Sequence, residues 1–254
     1  MVLVAGGHLP PGLAHLHPTG IKALAEVGGE TLLERALGAV RDLSQLGPWQ
    51  VEEVAVVGEA PVGELLASQG WQVTWTGVGE HGVENVLRGL MALERELPTL
   101  VMATDLPLVG AEELARFLAA IPPTAEFAMP VVTREAFLER FPGAPNRFER
   151  LREGHLTLGS VAFLRPAAFR MNYPLLTDAF RLRKRPLKIA LLAGPSTILK
   201  WVLGSLSVDD LVSRARKVTA AEVHAVMGMP PELAYDIDQP ENWHYLMRLM
   251  GEVS

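Results

Sequence analysis

Three aspartates that follow apolar runs are the clearest candidates for chemistry in this sequence. Asp105 comes directly after the apolar run 100–104, and Asp236 and Asp238 lie two residues apart near the end of the chain. Alternate residues of an extended segment point to the same side, so Asp236 and Asp238 can both face one site. Mg²⁺ is commonly bound by one or two carboxylates, with phosphate oxygens and water as its other ligands. The three aspartates are therefore candidate Mg²⁺ ligands, although each alone equally suits a cap of the next loop or helix.

A glycine-rich loop follows the first apolar run of the chain. Gly6 and Gly7 open the loop after Ala5, and the loop continues to Lys22. Glycines at the end of a strand let the backbone approach a phosphate, and the freed N–H groups form an anion-binding nest. A flexible lysine at the mouth of such a loop suits a phosphate chain. Gly-Gly alone is also typical of a simple turn, and neither common phosphate-binding fingerprint follows this strand.

Histidines in the same loop leave a second kind of site open. His8, His15 and His17 alternate closely enough to converge on a transition metal such as zinc or nickel, which imidazole suits. No carboxylate or further histidine lies nearby in the sequence. The phosphate-binding interpretation is therefore preferred to the histidine metal site.

The elements that must position these residues alternate between strands and helices. Short apolar runs predict strands, and segments with amphipathic spacing, beginning with a Thr31–Glu34 capping box, predict helices. The predicted strands are 1–5, 53–58, 71–76, 100–104 and 127–132, and the predicted helices are 31–43, 62–68, 83–97 and 111–120. This alternation predicts an α/β fold, a three-layer α/β/α sandwich with a mostly parallel central sheet, Rossmann-like in type. Ligands of such folds bind at the carboxyl ends of the strands, where Gly6 and Asp105 fall.

The second half of the chain is less regular. We expect a hairpin-like strand over 158–164, mostly helical structure over 174–217, a strand over 223–227 and a closing helix. No repeat or linker divides the chain. The sequence therefore predicts a single domain, 1–254, with a helical insertion at about 174–217.

Composition restricts the possible functions. The 254 residues carry a formal net charge of −6 and include no cysteine, which excludes thiol nucleophiles, disulfides and cysteine-based zinc sites. The negative charge makes nucleic acid and anionic membranes improbable partners, and the basic run 181–185 is too short to change this. The apolar window 187–206 contains two lysines and Gly-Pro, so it does not predict a membrane span. We expect a cytoplasmic protein.

Taken in order, these motifs resemble one family. Gly6-Gly7 with the downstream Lys22, Asp105-Leu-Pro, and Asp236-Ile-Asp238-Gln-Pro-Glu resemble the nucleotidyltransferases of the molybdenum-cofactor guanylyltransferase type (MobA-like), which have a glycosyltransferase-A-like fold. The segment 147–160 also looks like the acceptor-side strand of that group. Two departures are visible: the glycine loop is longer and contains no arginine, and Thr-Leu-Gly-Ser stands where such proteins often have Thr-Gly-Gly-Asn.

The resemblance implies roles for individual residues. Lys22 and Asp105 would be catalytic, and Mg²⁺ would be bound by Asp105, Asp238 and Asp236. The nucleotide would be bound by residues of the first strand, the glycine loop and one helix, together with Asp105. These residues are Val4, Ala5, Gly6, Gly7, Lys22, Asn85 and Asp105.

The implied reaction is Mg²⁺-dependent transfer of a nucleoside monophosphate from a nucleoside triphosphate to a small phosphorylated acceptor, by a monomer or homodimer. Two alternatives remain open. One is a non-catalytic protein of the same fold that binds nucleotides or nucleotide-sugars. The other is a glycosyltransferase that binds a nucleotide-sugar through its Asp-x-Asp motif.

Overall fold

The computed structural model describes residues 1–182 and 194–251. Its strands are β1 (Val2–Val4), β2 (Glu26–Val27), β3 (Glu30–Thr31), β4 (Ala55–Val57), β5 (Thr74–Thr76), β6 (Thr99–Ala103), β7 (Phe127–Thr133), β8 (Glu149–Leu151), β9 (Gly154–Leu158), β10 (Val161–Leu164) and β11 (Val223–Met227). Its helices are α1 (Leu32–Leu43), α2 (Ala60–Gln69), α3 (Gly82–Met91), α4 (Ala111–Ala120), α5 (Arg134–Arg140), α6 (Pro166–Leu182), α7 (Pro195–Val202), α8 (Val208–Thr219) and α9 (Pro240–Met250).

One mixed sheet of nine strands organises the described residues. Its order is β5-β4-β1-β6-β10-β7-β9-β8, and β11 pairs with β7. β5, β4, β1 and β6 are mutually parallel, whereas β10 is antiparallel to both β6 and β7. A separate two-stranded hairpin, β2–β3, precedes α1. The parallel half places the carboxyl ends of β1 and β6 side by side.

Helices cover both faces of this sheet. Along β1, Val2 and Leu3 point to opposite faces and join different apolar clusters. The cluster around Leu3 contains residues of α1 and α4, and the cluster around Val2 is packed by residues of α3 and α6. The predicted three-layer α/β/α fold is therefore confirmed. A third apolar cluster joins α5 to α9 around the buried ring of Tyr235.

Helix α1 shows how the local sequence sets these elements. The Thr31 hydroxyl accepts the Glu34 N–H at 3.1 Å, and the Glu34 carboxylate accepts the Thr31 N–H at 2.7 Å. This reciprocal pair is the predicted capping box. Buried residues at helical spacing then hold α1 against the sheet: Leu33, Ala36, Leu37 and Val40.

Three predicted elements are wrong in extent, and one of them, the strand predicted over 71–76, begins only at Thr74. The helix predicted over 83–97 ends at Met91, because the Glu94 N–H bonds to the Glu53 carboxylate at 2.6 Å instead of continuing the helix. The strand predicted over 158–164 is broken at Gly159 and Ser160. β9 and β10 both pair with β7, and their register differs by two residues across the break, as in a bulge.

The predicted helical insertion, 174–217, covers the end of α6 together with α7 and α8. Part of it, residues 183–193, lies outside the described residues, as do most of the basic run and the start of the apolar window noted in the sequence. Its status as an insertion stays a prediction. No helix in the ranges 1–182 and 194–251 is both long and apolar enough to span a membrane.

Candidate active site

The ends of β1 and β6 are tied together by hydrogen bonds. The Val4 carbonyl accepts bonds from the Thr104 N–H at 3.2 Å and from the Thr104 hydroxyl at 3.3 Å. The Ala5 N–H donates to the Val57 carbonyl at 2.7 Å. The glycine loop and Asp105 therefore leave the sheet next to each other, as the parallel arrangement predicts.

Asp236 and Asp238 reach this point from the other end of the chain. The Ile237 N–H donates to the Asp105 carbonyl at 3.1 Å. The side chain of Ile237 is fully buried in the apolar cluster around Tyr235, so the alternating Asp236 and Asp238 point away from that cluster. The structure thus brings together all three aspartates that the sequence singled out.

Lys22 lies between two of these carboxylates. Its Nζ is 2.7 Å from Asp105 Oδ2 and 3.2 Å from Asp238 Oδ1, and its own N–H donates to the Gly7 carbonyl at 2.8 Å. Burial favours the uncharged amine, but the charges of Asp105 and Asp238 outweigh it and hold the pKa of Lys22 above its usual value. Lys22 is therefore a buried ammonium that neutralises part of the carboxylate charge.

Asp236 ionises less readily than an ordinary aspartate. Burial and the charges of Asp238 and Asp105 raise the pKa of Asp236 to about 6, against the opposing effects of the Ser160 hydroxyl and Lys22. The Ser160 hydroxyl donates to Asp236 at 3.0 Å. Negative charge is therefore in excess here, and an additional cation would lower the electrostatic energy of the site.

Asp105 offers an atom suited to that cation. Its Oδ1 is buried and has no hydrogen-bond partner among the described residues. A buried carboxylate oxygen without a partner costs free energy, so such an atom in a native protein requires an explanation such as a bound ion. Within 1–182 and 194–251, no three carboxylate or imidazole groups are arranged to hold a metal ion by themselves. Mg²⁺ typically takes only one or two carboxylates and completes its shell with phosphate oxygens and water.

The other wall of the site contains Gly6 and Asn85. A Cβ at Gly6 would lie 2.7 Å from Val78 Cγ1 and 3.2 Å from Asn85 Nδ2, so only glycine fits without a shift of its neighbours. Asn85 is buried and its Oδ1 accepts the Gly79 N–H at 2.7 Å. The predicted nucleotide contact of Asn85 stays a prediction, and the structure gives this side chain a supporting role behind the glycine loop.

The loop histidines do not form a metal site in the described residues. His8 Nε2 lies 3.2 Å from Glu59 Oε1, and His17 Nδ1 bonds to the Thr19 hydroxyl at 2.8 Å. His8 thus contacts the residue before α2 and His17 contacts its own loop, so these two imidazoles have separate partners.

Two residues that the sequence prediction omitted hold the site in place. Arg35 of α1 donates through Nε to the Pro107 carbonyl at 3.1 Å and through Nη1 to the Val27 carbonyl at 3.4 Å, which ties the loop after Asp105 to the β2–β3 hairpin. Ser160 fixes Asp236. Arg35 itself belongs to no sequence motif. Ser160 could have been found, because it is the last residue of the Thr-Leu-Gly-Ser segment.

The chain matches one known protein family. The family model described as "MobA-like NTP transferase domain" matches residues 17–181. No curated protein sequence matches the chain.

Among solved structures, a hypothetical transferase from Thermus thermophilus is 29% identical with a TM-score of 0.80, covering 95% of this chain and 97% of the other. A 4-diphosphocytidyl-2C-methyl-D-erythritol synthase from Anaerococcus prevotii is 13% identical with a TM-score of 0.58, covering 98% of this chain and 94% of its own. A CMP:2-keto-3-deoxy-manno-octonic acid synthetase complexed with CTP is 14% identical with a TM-score of 0.56, covering 99% and 98%. The last two share the fold.

Proposed function

Because this chain belongs to the MobA-like NTP transferase family and is thus a nucleotidyltransferase, we propose that it transfers a nucleoside monophosphate from a nucleoside triphosphate to a small phosphorylated acceptor. The observation that carries this proposal is the position of Lys22. Its ammonium lies between Asp105 and Asp238, and its backbone N–H donates to the Gly7 carbonyl. Carboxylates for a hard cation, a lysine for phosphates and a glycine loop are thus combined at one sheet edge.

The chemical step is an in-line substitution at the α-phosphorus. An oxygen of the acceptor phosphate forms a new bond to this phosphorus, and the bond between the α-phosphorus and the bridging α–β oxygen breaks. Pyrophosphate leaves with the electron pair of that bond. Such transfers need positioning and charge stabilisation more than covalent chemistry from the protein.

Each group of this site has a part in that step. Asp105 and Asp238 are the carboxylates that would hold Mg²⁺, with Asp236 beside them. Bound Mg²⁺ neutralises phosphate charge and stabilises the charge that develops on the oxygens. Lys22 binds phosphate oxygens of the nucleotide, and the backbone of Gly6 and the neighbouring residues of the loop cradles them. Loss of one such charged contact typically reduces the rate about 10²- to 10³-fold.

The test is pyrophosphate release with each common nucleoside triphosphate and a panel of phosphorylated acceptors. Wild type should release pyrophosphate with one base and one acceptor class, and Asp105→Asn should lose about 10²-fold or more of the rate. The exposed Asp42→Asn is the matched control, because among the described residues the Asp42 carboxylate pairs only with the neighbouring Arg41. Rates within a few-fold of wild type in Asp105→Asn would overturn the assignment. Tight nucleotide binding without transfer would favour the non-catalytic alternative, and preference for nucleotide-sugars the glycosyltransferase alternative.

We also propose that the protein acts in the cytoplasm, as a monomer or homodimer. In the same proposal, residues 1–254 form one catalytic domain in which 174–217 are an insertion.

A further inference from the structure

A cavity of about 590 Å³ lies away from the glycine loop, between the sheet and two helices. Strands β7, β8, β9 and β11 form its floor, and α7 and α8 form its wall. Its volume falls within the range of about 300–1,000 Å³ that is typical of small-molecule sites. The proposal above does not use this cavity.

Apolar side chains line most of the cavity, and several of them remain open to solvent. The exposed fractions are 56% for Leu158, 60% for Trp201, 40% for Leu211 and 37% for Met129. Exposed apolar surface is unfavourable by about 25 cal/mol per Å². Single exposed apolar residues are common, but several that face one concave surface are typical of a binding site.

A few polar groups accompany this apolar lining: Arg147, Glu149, Thr157 and His224. Arg147 is exposed, and its guanidinium has no ion-pair partner in the part of the chain that the structure describes. An arginine fork without a partner is suited to a phosphate or carboxylate of a ligand. The cavity therefore combines a large apolar surface with one available cation.

A strand that lines the cavity leads directly to the site of the proposed reaction. Thr157 and Leu158 line the cavity at the end of β9. Two residues further on, the Ser160 hydroxyl donates to Asp236 at 3.0 Å. A Cβ at Gly159 would lie 2.6 Å from the Leu233 carbonyl oxygen, so this connection is held tightly. A chain of two residues spans at most about 7 Å, so the backbone of Leu158 in the cavity wall lies within about 7 Å of Ser160, which bonds to Asp236.

We propose that this cavity binds the apolar part of the phosphorylated acceptor, so that the acceptor is an aliphatic or aromatic group bearing a phosphate and not a fully hydroxylated sugar phosphate. The inference rests on the proposed function, because it assigns the second substrate of that reaction. Arg147 complements the charge of the phosphate, and the sheet face complements the apolar group.

Octyl phosphate, below its micellar concentration, is the probe for this cavity. Calorimetric titration of wild type should give a dissociation constant at least tenfold lower for octyl phosphate than for glycerol 3-phosphate, which has the same head group without the chain. Octyl glucoside, which has the chain without the charge, should bind more weakly than octyl phosphate. Equal binding of the two phosphates would overturn the inference.

Variants locate the binding. Ala215 lines the cavity, so Ala215→Phe should fill part of it and weaken octyl phosphate at least tenfold. Val202 is 68% exposed on α7 and does not line the cavity, so Val202→Thr should bind as wild type does. Equal loss in both variants, or no loss in Ala215→Phe, would contradict the cavity as the site. So would a homodimer in sedimentation analysis that Ala215→Phe dissociates, because a second copy would then occupy this face.

Failure of the inference is distinguishable from failure of the proposed function. The Mg²⁺-dependent thermal stabilisation of wild type and of Ala215→Phe by a nucleoside triphosphate reports the nucleotide side alone. If this stabilisation is present and octyl phosphate has no advantage, the inference fails and the proposed function stands. If no triphosphate stabilises the protein, the proposed function fails, and the acceptor assignment fails with it.

Discussion

Replacing Lys22 with methionine should have two opposite effects on this protein. Lys22 supplies the ammonium that pairs with Asp105 and Asp238, and its side chain is only 10% exposed. Methionine keeps the apolar stem and removes the charge. The folded protein should become less stable, because two carboxylates lose their counter-charge. A divalent cation should bind more tightly without nucleotide, because no ammonium neutralises the same carboxylates.

The size of the first effect follows from burial. Removal of one partner of a buried ion pair typically costs about 3–5 kcal/mol. Asp105 is 18% exposed but Asp238 is 68% exposed, so we expect the lower end, about 3 kcal/mol. For a protein of this size each kcal/mol lowers Tm by roughly 2–4 °C, which predicts a decrease of roughly 6–12 °C. For the second effect, a cation-binding free energy that is about 1.4 kcal/mol more favourable corresponds to about tenfold tighter cation binding.

Thermal unfolding and an electron paramagnetic resonance titration with Mn²⁺ measure the two effects on the same samples. Lys217→Met is the matched control, because Lys217 is exposed on α8. Lys22→Met should have a lower Tm in metal-free buffer, should bind Mn²⁺ at least tenfold more tightly without nucleotide, and should bind triphosphate more weakly. Unchanged or weaker Mn²⁺ binding in Lys22→Met, with the protein folded, would refute the idea that Lys22 and the cation compete for these carboxylates.

Three further predictions follow from the described contacts. The pKa of Asp236 is raised from 3.8 to about 6 in the folded protein, so its contribution to stability is full below pH 3.8 and is lost as pH rises through 6. In metal-free buffer, Asp236→Asn should therefore gain Tm relative to wild type as pH rises from about 4 to 6, and a constant difference over that window would contradict this. Gly6→Ala places Cβ 2.7 Å from Val78 Cγ1 and should lower the free energy of unfolding by about 1–3 kcal/mol. Gly38→Ala is the control, because the added Cβ would meet no atom of another element within 4 Å, and it should raise that free energy by about 0.5–1 kcal/mol in denaturant unfolding. Arg35→Met frees the loop after Asp105 and should weaken triphosphate binding in calorimetry several-fold with little change in the base preferred; unaltered affinity would exclude this positioning role.

Much of the fold could be predicted because its signals are local. The Thr31–Glu34 capping box and the apolar spacing behind it define α1 within a few residues of sequence. The break between β9 and β10 could not be predicted in this way. Gly159 is held against the Leu233 carbonyl, and Leu233 lies 74 residues further along the chain, so only the folded protein reveals the contact.

The same distinction between local signals and contacts of distant residues applies to the candidate site. Alternation placed Asp236 and Asp238 on one side of an extended segment, and the parallel sheet placed Asp105 beside the glycine loop, whereas only the family resemblance brought the two groups to one site. The ion pairs of Lys22 were not predictable, because they join residues 83 and 216 positions apart. The same holds for Arg35, because the carbonyls of Pro107 and Val27 to which it donates carry no sequence signature.

The central claim, that a nucleoside triphosphate binds with a divalent cation at Asp105, is tested most directly by thermal shift. The four common triphosphates are compared with and without Mg²⁺ on wild type, Asp105→Ala and the exposed control Asp42→Ala. A ligand at about 100 times its Kd stabilises by roughly 2.7 kcal/mol, which such a measurement detects. We predict a Mg²⁺-dependent increase in Tm with one base in wild type and in Asp42→Ala, and none in Asp105→Ala. No increase with any triphosphate at millimolar concentration, or an equal increase in Asp105→Ala, would contradict the claim.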